Sequence, residues 1–311
     1  MSMDVENYMR LGLHLPQDMF ANGHSPAEFA AYLQHAGDSA YHPCPEAFPG
    51  EEVPKGEVIR HADWDRTTIY PGTQRVISVY IPAGLDRSQP ARVIIFNDGY
   101  GYVASKGPVR APQVLDSLHA AGEIAPTVGI FVNPGRHPAD PAMSREEVNE
   151  AANLQRRFEY DSLTPDFGRF LKDEVLPWVA AEHGLTFSED PAHRTVCGIS
   201  SGGICAFTCA WEFPDSFGRV LSHCGSFVNI LGGHNYAYMV GVTPRKPIRV
   251  FLQDGANDAC NVNGDWPLAN QALAKALSFA GYDSRLEFGT GAHNLRHGGA
   301  VFAESLRWLW R

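Results

Sequence analysis

The sequence predicts an α/β fold in which helices cover both faces of a mostly parallel central sheet. Two observations support this prediction: apolar, β-branched runs recur along the chain, and segments of helical periodicity separate them. Parallel strands need long crossover connections, usually helices, so this alternation is typical of a parallel sheet. The predicted strands are residues 76–81, 93–96, 127–132, 195–198, 219–222, 248–252 and 285–288.

Several predicted helices begin at recognisable capping sequences. Ser25-Pro-Ala-Glu28 and Ser144-Arg-Glu-Glu147 each place a hydroxyl at the N-cap and a carboxylate three residues later, the pattern of a capping box. Thr164 supplies a hydroxyl cap before Pro165, and apolar residues then repeat at helical spacing until Gly184 stops the helix. Further helices are predicted at residues 26–35, 267–280 and 302–310.

Composition and charge favour a compact protein that acts on small molecules. Hydrophobic residues make up 44% of the chain and charged residues 19%, which is ordinary for a globular protein. The formal net charge is -10 and no run of Lys and Arg occurs, so we expect no nucleic-acid partner. No apolar stretch approaches the roughly 18 residues of a membrane span, and the start of the chain lacks the pattern of a signal peptide. We therefore expect a cytoplasmic protein without a membrane partner.

The six cysteines predict neither a disulfide framework nor a metal site. Cys197, Cys205, Cys209 and Cys224 lie in apolar segments, where a buried free thiol is the usual state. Cys205 and Cys209 are four residues apart on a predicted helix, but no further Cys or His completes a set of ligands. We expect no metal and no cofactor.

Residues 1–52 are expected to form an N-terminal extension ahead of a catalytic domain at residues 53–311. The extension contains the helix predicted at 26–35 and then His42-Pro-Cys-Pro-Glu46, whose prolines prevent a regular element. It has too few apolar residues to fold alone, so it must pack elsewhere. Three alternatives remain open: a lid over the catalytic edge, an interface segment in a homo-oligomer, and a patch on the outer surface of the core.

Residues 195–211 predict a strand, a sharp turn and a buried helix, with a serine at the turn. The turn reads Gly198-Ile-Ser200-Ser-Gly202-Gly203. Glycines flank the serine because the nucleophile of such a turn has a strained backbone, and a nearby Cβ would collide with the adjoining strand or helix. This pattern predicts the nucleophile turn of an α/β-hydrolase fold. Ser200 would be the nucleophile, and the Ser201 amide and the helix dipole would stabilise an oxyanion.

A carboxylate should follow the nucleophile along the chain, because this fold orders its triad as nucleophile, acid and His. The acid is expected after the predicted strand 248–252, where Asp254 and Asp258 compete. Asp254 lies directly at the strand end, where a side chain often caps the turn. Asp258 lies deeper in the loop that must reach the histidine, and we prefer it.

The base is expected after the last predicted strand, where His293 and His297 compete. His293 lies in a loop with small neighbours, as a movable base requires, and we prefer it. The pair also has the His-x-x-x-His spacing of metal ligands on a helix. The segment precedes the helix, however, and two ligands without a third do not form a zinc site.

The remaining loops at the same sheet edge supply candidate oxyanion donors and substrate contacts. The second oxyanion donor is expected in the loop after the predicted strand 93–96, where the amides of Gly99 and Tyr100 are both candidates. Aromatic and histidine side chains in these loops favour an aromatic or polyhydroxy substrate. The candidate substrate-binding residues in these loops are Tyr102, His234, Tyr236, Trp266 and His297.

At these residues the sequence resembles the putative esterase family, which includes enterochelin esterases, feruloyl esterases and the esterase D and mycolyltransferase group. The resemblance covers about residues 53–311 and rests on the Asp-Gly at 98–99, the Gly-x-Ser-x-Gly-Gly at 198–203, and the Gly-x-x-Asp and Gly-x-His loops. It implies a triad of Ser200, Asp258 and His293. It also implies hydrolysis of a small-molecule carboxylic ester, whether aromatic, sugar or siderophore-like.

A further stretch of the sequence, residues 156–161, resembles an Arg-x-Glu motif that this family has near the active site. The resemblance implies that Arg157 and Glu159 are also candidate substrate-binding residues and belong to an ion pair that supports the pocket. A solvated charge cluster at a helix end is the alternative. Two departures from the family pattern matter. His297 stands where many members have an aromatic residue, and the first 50 residues are outside the pattern, so the resemblance does not imply the identity of the substrate.

Two other functions remain as alternatives. An acyltransferase or a lactonase would use the same triad, and transfer differs from hydrolysis in how well the pocket excludes water. A non-catalytic binding protein is the alternative from another class, and the intact set of triad residues disfavours it.

Overall fold

The computed structural model of the protein describes residues 38–139 and 141–311. The helix predicted at 26–35 and the capping box of Ser25 and Glu28 lie outside the described residues. The division into an extension and a catalytic domain therefore stays a prediction.

Ten strands occur among the described residues, and eight of them form one sheet in the order β1-β2-β4-β3-β5-β6-β7-β10. Pairing is parallel from β4 to β10 in that order, whereas β2 pairs antiparallel with both β1 and β4. The strands are β1 (Glu57–Trp64), β2 (Arg75–Ile81), β3 (Arg92–Asn97), β4 (Thr127–Val132), β5 (Arg194–Ile199), β6 (Arg219–His223), β7 (Arg249–Asn257), β8 (Cys260–Asn261), β9 (Gly264–Asp265) and β10 (Asp283–Ala292).

Helices fill the connections between these strands. They are α1 (Gly99–Val103), α2 (Ala111–Ala120), α3 (Arg145–Tyr160), α4 (Asp166–Arg169), α5 (Leu176–His183), α6 (Ser201–Glu212), α7 (Tyr236–Val242), α8 (Trp266–Phe279), α9 (Leu295–Ala300) and α10 (Phe302–Trp310). A π-helical stretch, Phe170–Val175, joins α4 to α5, and short 3-10 turns occur at Asp38–Ala40, Pro45–Ala47, Pro191–His193 and Gly233–Asn235. Within the described segments, no helix is long and apolar enough to cross a membrane.

Apolar residues are buried on both faces of the sheet, as the fold prediction requires. Val93 and Ile95 of β3 belong to one buried cluster, and Ile94 and Phe96 belong to another. Successive side chains of a strand point to opposite faces, so the two clusters lie on opposite sides of the sheet. Helices α6 and α10 contribute to the first and second cluster, respectively. The predicted α/β-hydrolase architecture is confirmed.

Within the eight-stranded sheet, β1 is the strand that the sequence pattern does not predict, and the short hairpin of β8 and β9 outside it is also not predicted. Strand β1 reads EVIRHADW and is largely exposed, because it is the edge strand of the sheet and pairs only with β2. Its polar residues carry no alternation that would mark a buried face. Strand β7 continues to Asn257, five residues beyond the predicted end, because the polar segment after Leu252 keeps pairing with β10.

The helix starts largely follow the capping predictions. Ser144 and Glu147 form the predicted capping box at the start of α3. The long helix predicted after Thr164 instead begins with Pro165 at its N-cap and contains the π-helical stretch. Pro177 explains the wider turn, because its nitrogen has no hydrogen and its ring displaces the carbonyl four residues earlier.

Candidate active site

Ser200 lies between the carboxyl end of β5 and the amino end of α6. Its backbone has φ 58° and ψ −122°, a conformation that residues other than glycine rarely adopt and that stores roughly 1–3 kcal/mol of strain. The Ser200 amide donates to the carbonyl of His223 at 2.9 Å, which ties the turn to the end of β6. The strain is therefore held in place by the surrounding sheet, as the nucleophile turn predicts.

The glycines around Ser200 are required by close approaches of the backbone. A Cβ at Gly198 would lie 2.2 Å from the carbonyl oxygen of Gly202, and a Cβ at Gly202 would lie 2.9 Å from Oδ2 of Asp98. A Cβ at Gly203 would lie 2.6 Å from the hydroxyl of Ser222. The predicted reason for glycine on both sides of the serine is confirmed.

His293 connects Ser200 to Asp258. Its Nε2 lies 2.8 Å from Oγ of Ser200, and its Nδ1 hydrogen bonds to Oδ1 of Asp258. The side chain of Asp258 is fully buried, whereas that of His293 is 19% exposed. Where the sequence left alternatives open, this geometry favours Asp258 over Asp254 and His293 over His297.

Asp254 lies behind Asp258, and their carboxyl groups hydrogen bond to each other. Oδ1 of Asp254 accepts from the Gly255 amide at 2.8 Å, and Oδ2 of each carboxyl is buried. Burial, the hydrogen bond with Asp258 and its charge raise the pKa of Asp254 to about 10. Burial also acts to raise the pKa of Asp258, but the charge of His293 and the hydrogen bonds from His293 and Asp254 lower it overall. At neutral pH, Asp254 is therefore protonated and donates to an ionised Asp258.

Two helix amino termini supply the candidate oxyanion donors. The Ser201 and Gly99 amides are the first of α6 and α1, and such amides have no partner within their own helix. The Tyr100 amide instead donates to Oδ1 of Asn133 at 2.9 Å. Of the two candidates after β3, Gly99 is therefore favoured, because an oxyanion would have to displace Asn133 from Tyr100.

Ser226 is a contact of Ser200 that was not predicted from the sequence. The two hydroxyl oxygens lie 3.2 Å apart, and Nε1 of Trp266 donates to Oγ of Ser226 at 3.2 Å. Since Nδ1 of His293 donates to Asp258, Nε2 accepts the proton of Ser200, so Ser226 is the donor in its contact with Ser200. Ser226 and Asn133 both follow parallel strands at the carboxyl edge of the sheet, and that position is the signal that could have identified them.

The charged stretch at the end of α3 supports the site through two ion pairs, one of which is fully buried. Arg156 donates two hydrogen bonds, at 2.8 and 2.7 Å, to the carboxylate of Asp98, which directly precedes Gly99. Glu159 pairs with Arg75 of β2 at 2.9 Å, and both side chains are fully buried. Glu159 is therefore in an ion pair, as the resemblance implies, and its burial with Arg75 argues against a solvated charge cluster. Glu159 and Arg157 are both buried, which corrects their prediction as substrate contacts.

Most of the aromatic and histidine candidates face the interior. Tyr102, Tyr236 and His297 are at most 2% exposed, and each hydrogen bonds to another buried side chain. Their prediction as substrate-binding residues is therefore wrong. Trp266 is also fully buried and contacts His293 edge-on, with ring centroids 5.6 Å apart, so it supports the site from within. Of all the predicted substrate contacts, only His234 is exposed.

Cys224, Asp258 and His293 are the one group in the described residues whose ligand atoms come close enough for a metal ion, within 4.8 Å of one another. The hydrogen bond to Asp258 already occupies Nδ1 of His293. Burial raises the pKa of the Cys224 thiol well above its usual value, so the thiolate that a metal needs is disfavoured. The chemistry of this group fits a hydrogen-bonded relay better than a metal site.

The chain is similar to known esterases. The iron(III) enterobactin esterase of Dickeya dadantii (strain 3937) is 24% identical over 266 residues, which cover 79% of this chain and 54% of the relative. The solved ferric enterobactin esterase of Salmonella typhimurium aligns with a TM-score of 0.63 at 21% identity, over 88% of this chain and 61% of that chain. The chain thus spans about half the length of the curated relative and about three fifths of the solved enterobactin esterase.

A shorter solved structure aligns over nearly its full length. The ferulic acid esterase AmCE1/Fae1A of the anaerobic fungus Anaeromyces mucronatus has a TM-score of 0.60 at 16% identity, over 85% of this chain and 95% of that chain. These structural likenesses show a shared fold. The sequence profile of the putative esterase family matches residues 69–294, which is most of the chain. The protein therefore belongs to the putative esterase family.

Proposed function

We propose that the protein is a serine carboxylic ester hydrolase that acts on a small-molecule ester through Ser200, His293 and Asp258. The observation that carries this proposal is the unbroken path of hydrogen bonds from Oγ of Ser200, through both ring nitrogens of His293, to Asp258. Family membership and the strained turn at Ser200 support the same reaction.

Each residue of this path has a defined role in the proposed reaction. His293 accepts the Ser200 proton at Nε2 while Oγ attacks the ester carbonyl, and the ionised Asp258 stabilises the imidazolium. His293 then gives this proton to the alcohol oxygen of the ester. The alcohol departs, and the acyl group remains bound to Oγ of Ser200. In the second half, His293 activates a water molecule that releases the acid and restores Ser200.

The oxyanion of both tetrahedral intermediates would receive hydrogen bonds from the Ser201 and Gly99 amides. The bidentate Arg156–Asp98 pair supports this role, because it fixes the residue before Gly99. Preorganised amide donors are worth about 10²–10³-fold in kcat for each donor. The Tyr100 amide would become a third donor if the intermediate displaced the Asn133 side chain.

An aromatic ester is the substrate class that we favour. The Dickeya dadantii relative is named as an iron(III) enterobactin esterase, and the Anaeromyces mucronatus structure as a ferulic acid esterase. In this chain, the side chain of Tyr100 is 64% exposed beside Gly99 and offers a ring on which an aromatic group could stack. Siderophore-like and feruloyl-like esters are therefore preferred over sugar esters. Lactone hydrolysis and acyl transfer are alternatives on the same residues.

The proposal predicts ester hydrolysis that survives exhaustive chelation, because no step uses a metal ion. Release of acid and alcohol should be measured with a panel of aryl, sugar and lactone esters, with and without chelator, and aryl esters should turn over fastest. Loss of activity on chelation with recovery on adding zinc would identify a metal site and contradict the proposal.

A second experiment adds alcohols to the same assay. If the alcohols are converted to esters and no free acid is released, the protein is an acyltransferase.

A further inference from the structure

The loop that carries His293 is held by Asp38, which lies 254 positions before Ala292 in the chain. Asp38 is 1% exposed, and its Oδ1 accepts from the Ala292 amide at 3.0 Å while its Oδ2 accepts from Nδ2 of Asn294 at 2.5 Å. Ala292 and Asn294 are the two neighbours of His293, and the Asn294 amide closes a tight turn onto the Ala292 carbonyl at 2.7 Å. One carboxylate therefore binds both sides of the turn that presents the histidine.

The hydrogen-bonding pattern requires two acceptors at position 38. Oδ1 of Asn294 accepts from the Arg296 amide at 2.8 Å and caps α9, so the side chain of Asn294 can offer only its Nδ2 to Asp38. The Ala292 amide can only donate as well. An ionised carboxylate meets both donors, whereas a carboxamide offers one oxygen and turns a second donor toward Asn294.

Tyr41, three residues after Asp38, holds the neighbouring part of the same loop. Its hydroxyl oxygen accepts from the Thr290 amide at 2.9 Å, and its ring stacks on His297 with centroids 4.0 Å apart. A Cβ at Gly289 would lie 2.1 Å from that hydroxyl oxygen, so any other residue there would displace the Tyr41 side chain. The segment around Asp38 and Tyr41 thus follows the chain from the end of β10 to the start of α9.

From these contacts we infer that Asp38 is a positioning residue for His293. It touches neither substrate nor reacting atoms, and it acts by fixing Ala292 and Asn294 so that the imidazole stays between Ser200 and Asp258. The inference rests on the proposed function of those three residues. A displacement of about 1 Å in such a site can cost about 10²-fold in rate, so loosening this turn should be visible in kcat.

An exchange of the two side chains tests the inference. Asp38→Asn places two donors face to face, and Asn294→Asp places two carboxylates face to face. Each single variant should lower kcat for the neutral ester p-nitrophenyl acetate by about 10–100-fold with little change in KM. In the double variant Asp38→Asn/Asn294→Asp, every hydrogen-bond donor of the turn again faces an acceptor, and the net charge is unchanged. This variant should return to within about fivefold of the wild-type kcat, because coupled residues give non-additive effects.

A control and an independent readout keep the outcomes separate. Glu46 is in the same segment, and Glu46→Gln removes the charge that pairs with Arg307 at 2.6 Å without touching the turn at His293. This variant should keep wild-type kcat even if Tm falls. The low-field NMR signal of the His293 Nδ1 proton should be lost or shifted in each single variant and restored in the double variant. Single variants with wild-type kcat and signal, or a double variant that only multiplies the losses, would overturn the inference.

If the wild type hydrolyses no ester, the proposed function fails and the NMR signal alone decides the role of Asp38. If a single variant does not fold, the recovery of the double variant decides it.

Discussion

Ser200→Ala is expected to lower kcat for p-nitrophenyl acetate by about 10⁴-fold or more. The change removes only Oγ, which lies 2.8 Å from Nε2 of His293 and 3.2 Å from the hydroxyl oxygen of Ser226. Alanine tolerates the positive φ at this position no worse than serine does, so the fold should persist. Steady-state kinetics measure the first effect, and thermal unfolding should show a Tm within a few degrees of wild type.

Ser88→Ala is a matched control for this change. Ser88 is exposed in the connection between β2 and β3. This connection leads to the amino end of β3, whereas the site lies at the carboxyl ends of the strands. Ser88→Ala should leave kcat and KM at wild-type values. Turnover by Ser200→Ala at the wild-type rate would exclude Ser200 as the nucleophile.

Asp258→Asn is expected to lower kcat by about 10⁴-fold with the fold intact. A carboxamide at this position can donate to Nδ1 of His293, which favours the tautomer that carries its proton on Nε2. That tautomer cannot accept the proton of Ser200, so the base is lost although the ring stays in place. The measurement is kcat for the same ester, with a circular dichroism spectrum to establish folding.

Asp254→Asn is the matched variant on the other member of the carboxyl pair. Asp254 is protonated at neutral pH because burial and Asp258 raise its pKa to about 10, and it donates to Asp258. A carboxamide can donate in the same direction, so the loss in kcat should stay below about tenfold, in the range of one neutral hydrogen bond. If Asp254→Asn were the more damaging of the two, the role of the acid would pass to Asp254.

The sequence predicts those parts of the fold that local chemistry determines. Strand β4 has the predicted bounds and α10 begins and ends at the predicted residues, because each has a clear apolar pattern. Strand β1 has no such pattern, since its stability comes from pairing with β2 at the edge of the sheet. The π-helical turn before α5 likewise depends on how Pro177 is accommodated between buried neighbours.

The same distinction applies to the candidate site. Ser200, Asp258 and His293 are accessible to prediction because the turn chemistry and the chain order of the triad can be read locally. The direction of a loop side chain cannot be read in this way, so the sequence pattern does not reveal that Tyr102 and His297 are buried. Asp38 is also beyond local reasoning, since its role depends on contacts with residues more than 250 positions away.

The most direct test of the central claim is labelling of the intact protein with a fluorophosphonate, followed by mass spectrometry of its peptides. Such a probe reacts with an activated serine and not with ordinary surface hydroxyls. We expect one modified site, at Ser200, with the modification absent in Ser200→Ala and slowed in Asp258→Asn. An unmodified Ser200 in a preparation that hydrolyses esters, or a label on another residue, would contradict the assignment of Ser200 as the nucleophile.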